Sequence, residues 1–167
     1  MSNNQKQLKE IIKHRLDKLS AIKSSGINPF AYSYPKNINI EEIISNPDKY
    51  NDKEIKIAGR IISLRKMGKS TFLNLQDMNE RIQVYLKDTN LNESVYDSIV
   101  RKLDIGDIVG VAGCVFFTKT NELSIKASGV EILSKSLRPL PNMKEKDGKT
   151  FFHLMIKNKD LERGIWI

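Results

Sequence analysis

The chain has 167 residues, 40% of them hydrophobic, enough for one domain with a real core and some additional helix. Lys and Arg outnumber Asp and Glu by 28 to 20, a formal charge of +8 that favours an anionic partner, although a Lys-rich solvated surface or attraction to a membrane surface gives the same surplus. The single Cys114 excludes an internal disulfide framework, and no Cys/His cluster has zinc-ligand spacing. The polar N-terminus lacks a signal-peptide core, and no run approaches the ~18 to 20 apolar residues needed to cross a bilayer, so a soluble, cytoplasmic protein is expected.

From Gln5 to Lys23, Leu8, Ile11, Ile12, Leu16, Leu19 and Ile22 recur at three- and four-residue steps, predicting an amphipathic helix that Ser24, Ser25 and Gly26 end. Its stripe would pack on the domain or on another subunit, with Lys6, Lys9, Lys13 and Lys18 on the opposite, solvated face. Residues 27–36, with two prolines and three aromatics and no period, read as an extended connector lying against the domain. Asn39 is positioned to cap a short helix through Ile40, Ile43 and Ile44.

Five strand-like segments follow, at about Glu54 to Arg65, Ser70 to Asp77, Arg81 to Lys87, Asp107 to Thr118 and Glu122 to Leu133, with a helix at roughly Asn92 to Lys102 after the third. A mainly β protein with this order is expected to form a five-stranded OB-fold, a Greek-key barrel whose second and third strands face oligonucleotides, preceded by the N-terminal helix. Gly59, Gly110 and Gly113 fall where such a barrel coils or bulges. The expected division is residues 1–50 for helix and connector, 51–137 for the barrel, and 138–167 for a linker and a loose tail.

The stretch from Arg60 to Asp77 interleaves strand periodicity with base-binding chemistry. Two strands around the turn Lys66-Met67-Gly68-Lys69 put Arg65 and Phe72 on a sheet surface, and an exposed aromatic beside guanidinium and amide groups suits stacking and edge readout of an unpaired base. Phe72 could instead fill the barrel, and Gln83 and Glu122 could be ordinary solvated strand residues. Tyr85 and Phe116 are assigned to the barrel rather than to bases, and Cys114 to inert core.

GINPF (26–30), AGRIISLRKMGKSTF (58–72), LQD (75–77), IQVY (82–85), GDIVGVAG (106–113), VFFTKTNELSIKA (115–127) and LSKSLRPLP (133–141) together resemble the N-terminal anticodon-binding part of bacterial-type class II lysyl-tRNA synthetases, over about Leu16 to Pro141. The resemblance implies lysine tRNA as partner and recognition of its uridine-rich anticodon: Phe72 matches the aromatic that stacks the central base, and Arg65, Gln83 and Glu122 match the groups that read base edges. Lys66, Lys69, Lys119 and Lys126 are expected to meet phosphate, and Arg60 either contacts tRNA or pairs structurally. A general single-strand binder and a dimerisation module are the competing readings.

The motifs that hold ATP, lysine and the acceptor end in that family are absent, so no aminoacylation by this chain alone and no cofactor in it are expected; ATP and Mg²⁺ belong to the full-length family, as does a homodimer. The ending after His153 departs abruptly from the family and reads as a frameshifted or prematurely ended product, with Leu154 to Ile167 loose or a frayed docking helix.

Overall fold

Ile55 and Ile57, Leu73 and Leu75, and Ile82, Val84 and Leu86 alternate with other residues, and each is at most 4% exposed. That period of two turns one face of each strand into core. The computed structural model describes residues 3–78, 80–140, 142–146 and 149–153; the expected loose tail from Leu154 lies outside them. The strands are β1 (Glu54–Met67), β2 (Ser70–Gln76), β3 (Arg81–Lys87), β4 (Ile108–Phe117) and β5 (Leu123–Ser134), and they close into a barrel in the order β1-β2-β3-β5-β4. All neighbours are antiparallel except β3 and β5, which run parallel. This is the expected OB-fold.

Two local features allow closure. Gly68 takes φ 58 at the first position of the two-residue loop between β1 and β2, as the mirror-type hairpin turn requires. Gly113 sits at a register shift between β4 and β5, where a Cβ would lie 2.3 Å from the Lys126 carbonyl oxygen. Only glycine lets the two strands approach that closely.

Helix α1 (Asn3–Ser24) precedes the barrel, and α2 (Ile40–Ser45) and α3 (Pro47–Tyr50) lead into β1. Between β3 and β4, α4 (Glu93–Ser98) and a 3₁₀ turn at Val100–Lys102 cover one end of the barrel. Tyr96 of α4 is 2% exposed, and its hydroxyl lies 2.9 Å from Thr71 Oγ1. Asn92 caps α4, its side-chain oxygen accepting from the Ser94 N–H. The cap of α2 departs from expectation. Asn39 occupies the cap position, but its side-chain oxygen accepts from Lys36, and the Ile40 N–H donates instead to Asp77 at the end of β2, at 2.9 Å.

The connector does lie on the barrel: the Ala31 N–H donates to the Leu133 carbonyl and the Asn37 N–H to that of Lys56. Helix α1 is held differently from its greasy stripe. Ile22 is fully buried, but Leu8, Ile11 and Leu16 are about 40% exposed. Attachment falls to cations. Arg15 donates to the carbonyls of Ile105, Ser136 and Arg138 at 2.9 to 3.0 Å, and Lys18, expected on the solvated face, pairs with Asp104. The fully buried Lys135 ammonium bridges Asp104 at 2.6 Å and Asp107 at 2.7 Å. Past the barrel, the backbone of residues read as linker pairs as a hairpin, β6 (Asn142–Lys146) with β7 (Lys149–His153).

Candidate nucleic-acid interface

The residues of β2 and β3 that do not face the core make a second surface. Ser70, Phe72, Asn74 and Gln76 alternate with the buried Thr71, Leu73 and Leu75, and Gln83 and Tyr85 alternate with Ile82, Val84 and Leu86. Register joins them into rows across the strands, because directly paired residues share a face. Arg65 of β1 pairs with Phe72, Phe72 with Tyr85, and Tyr85 with Lys126 of β5. In the next row Ser63 pairs with Asn74, Asn74 with Gln83, and Gln83 with Ser124. Glu122 lies just ahead of β5, two residues before Ser124, at the base of the hairpin that carries Lys119.

Arg65 and Phe72 are therefore direct neighbours, Gln83 is one row away, and Glu122 flanks the far end. Phe72 is half-buried, and its ring packs on Tyr85 at 4.8 Å between centroids, tilted by 34°. Tyr85 is not a barrel filler as the sequence suggested; its hydroxyl reaches Ser70 at 3.2 Å and its ring forms half of the aromatic surface. The sign was present in the alternation, since Tyr85 has the parity of Gln83 and not that of Val84. Phe116 and Cys114 likewise have outward parity on β4 and are half-buried, not core.

The side chains of Arg65, Asn74, Gln83, Glu122, Lys119 and Lys126 make no hydrogen bond or ion pair with any described residue. They leave two base-like donors and acceptors, a carboxylate and three cations around one aromatic pair. Lys69 is 76% exposed and only 3.5 Å from Asp88, so it too is accessible.

Two other cations named from the sequence are committed elsewhere. Lys66 pairs with the buried Thr71, so its parity turns it toward the closed end of the barrel. There it donates to the carbonyls of Arg101 at 2.7 Å and Leu103 at 3.0 Å, and burial, with Lys18 nearby, lowers its pKa. Arg60 donates to the Gly106 carbonyl at 2.9 Å, the structural alternative of the two left open. Among the described residues no cluster of His, Cys, Asp and Glu could hold a metal, and no helix is long and apolar enough to cross a membrane.

The closed mixed barrel is an OB-fold, and residues 55–133 match the family described as OB-fold nucleic acid binding domain. The chain is homologous to the N-terminal, anticodon-binding region of lysine–tRNA ligases. It is 44% identical over 135 residues to that of Carboxydothermus hydrogenoformans, covering 81% of this chain and 28% of the relative. The lysine–tRNA ligase of Histophilus somni is 47% identical over 135 residues, 77% of this chain and 27% of the relative. That of Wigglesworthia glossinidia brevipalpis is 42% identical over 142 residues, 80% of this chain and 28% of the relative. The chain thus spans little more than a quarter of these relatives' length, and its 167 residues do not contain their catalytic domain.

Proposed function

We propose that this chain binds the anticodon loop of lysine tRNA, stacking the central uridine of the anticodon on Phe72 and reading its edge with Arg65, Gln83 and Glu122. The observation that carries the reading is the row Arg65–Phe72–Tyr85, an aromatic surface on the outer face of β1 to β3 with uncommitted polar groups on every side. Stacking on an aromatic contributes roughly 1 to 3 kcal/mol per base. Uracil offers two carbonyl acceptors and one N–H donor, so Arg65 serves a carbonyl, Gln83 serves either kind of group, and the Glu122 carboxylate accepts from the N–H. Cytosine would present a lone pair to that carboxylate, a repulsion that selects against it. Lys69, Lys119 and Lys126 meet phosphate around the loop. Arg60 and Lys66 are left out of the interface, because carbonyl groups already occupy them.

The test is a titration, at fixed salt, with a lysine-tRNA anticodon stem-loop and with the same loop carrying cytidine at the central anticodon position. A preference for uridine of about tenfold, or about 1.4 kcal/mol, that is lost in Phe72→Ala and Glu122→Ala is the expected result. Equal binding of both loops would reduce the function to general single-strand binding, and no binding would refute it.

A further inference from the structure

Asn74 stands at the centre of β2, between Leu73 and Leu75, which are 1% and 0% exposed. Asparagine is depleted in strands, because its short amide competes with the ladder and packs poorly on a pleated surface. Its place here is therefore unexplained by the barrel. The core face is complete without it, and the outer face would accept a Thr or Val with better strand chemistry.

Its surroundings supply a reason. Asn74 is directly opposite Gln83, with Ser63 opposite it on the other side. Directly paired side chains have Cβ atoms about 4.5 to 5.5 Å apart, so the two amides form one donor and acceptor strip. Along its own strand Asn74 is two residues from Phe72, a step of about 6.6 Å on the same face. Both amides are half-buried, and neither hydrogen-bonds with any described residue. A partly desolvated amide without a partner gains from a ligand that satisfies both its N–H and its carbonyl.

We infer that Asn74 is a further base-edge residue, pairing with the edge of the nucleobase stacked on Phe72 and acting beside Gln83. The inference rests on the anticodon-binding reading above. Uracil's single N–H is taken by Glu122, so the Asn74 amide donates its own N–H to a uracil carbonyl. Turned over, the same amide accepts through its carbonyl from the amino group of cytosine. Asn74 therefore contributes affinity for a base edge and leaves the choice between the two pyrimidines to Glu122.

That division gives the experiment. Three stem-loops are titrated at fixed salt, with uridine, cytidine or an abasic nucleotide at the central anticodon position, against the wild-type chain, Asn74→Ala, Asn74→Thr and Phe72→Ala. Asn74→Thr restores strand propensity and removes the amide, so it reports on recognition without weakening the barrel. Both Asn74 variants should bind the uridine loop roughly tenfold more weakly, what one well-made hydrogen bond contributes net. Their ratio of uridine to cytidine binding should stay at the wild-type value, and their binding to the abasic loop should change less than twofold. An equal loss on all three loops, or no loss on any, would overturn the role of Asn74. If Phe72→Ala also leaves the uridine loop unaffected, the anticodon reading itself fails; if Phe72→Ala weakens that loop and the Asn74 variants do not, only the present inference falls.

Discussion

Replacing Lys135 by Met should cost the fold about 3 kcal/mol, near the lower end of the range for breaking a buried ion pair by removing one partner. The ammonium is inaccessible to solvent and bridges Asp104 and Asp107, the latter also fully buried. Without it, Asp107 keeps the N–H donors of Asp104 and Ser136, each at 2.8 Å, and Asp104 keeps Lys18. Those surviving partners place the cost at the low end. With a urea m-value of about 1.5 kcal/mol per M, the midpoint should fall by about 2 M at neutral pH, followed by far-ultraviolet circular dichroism. The acid limb should change as well. Burial pushes the Asp104 carboxyl up, but hydrogen bonds from Lys135 and Lys18 outweigh it and hold the group below its ordinary value. A carboxyl lowered in the folded state stabilises the fold above its unfolded pKa, about 3.9, and that contribution is lost as pH falls through the folded value. The variant should lose less stability than wild type over that interval, and adding Asp107→Asn should recover part of the neutral-pH loss. A midpoint shift under 0.5 M, about 0.75 kcal/mol at that m-value, with an unaltered acid limb would refute the view that this network holds the barrel end together.

Lys66→Ala and Lys126→Ala should separate a structural lysine from an interface lysine. The first removes two hydrogen bonds to carbonyls and should lower stability by about 1 to 2 kcal/mol in urea melts while leaving the salt dependence of stem-loop binding as it was. The second should leave stability alone and reduce the log–log salt slope by about 0.7, the share of one phosphate contact on a single strand. Gly113→Ala, whose Cβ would stand 2.3 Å from a carbonyl oxygen across the β4–β5 bulge, should cost about 3 kcal/mol, at the top of the overpacking range; a variant as stable as wild type would show that the strands part easily there.

The barrel was legible because its strands are half-buried and alternate cleanly: Ile82, Val84 and Leu86 announce β3 as plainly as Leu73 and Leu75 announce β2. The same alternation placed Phe72 outside. It also placed Tyr85, which a general preference of aromatics for cores had overridden. What periodicity could not reveal is where charges meet across long sequence separations. Asp77 caps a helix 37 positions earlier, and Arg15 reaches carbonyls 90 to 123 positions away. Lys18 and Lys66 look like any solvated lysine until the elements carrying Asp104 and Leu103 are packed beside them.

The charge surplus of this chain consequently has two origins. Arg15, Lys18, Arg60, Lys66 and Lys135 gather where α1, the 3₁₀ turn and the start of β4 meet the barrel, neutralised by Asp104 and Asp107 or satisfied by backbone carbonyls. Arg15, Lys18 and Lys135 are not available to an anionic partner without loosening the fold, and the exposed Arg60 and Lys66 are each tied to backbone carbonyls. Arg65, Lys69, Lys119 and Lys126 carry a smaller charge but share one accessible side with Phe72 and Tyr85. A nucleic acid that followed total charge would be drawn to the whole surface, whereas one that needs a paired aromatic platform with cations beside it finds it on this face, where Phe72 packs on Tyr85. The placement of the uncommitted cations, more than their number, supports recognition of an unpaired loop. It also explains why the salt dependence should reflect only the few phosphates that these side chains reach.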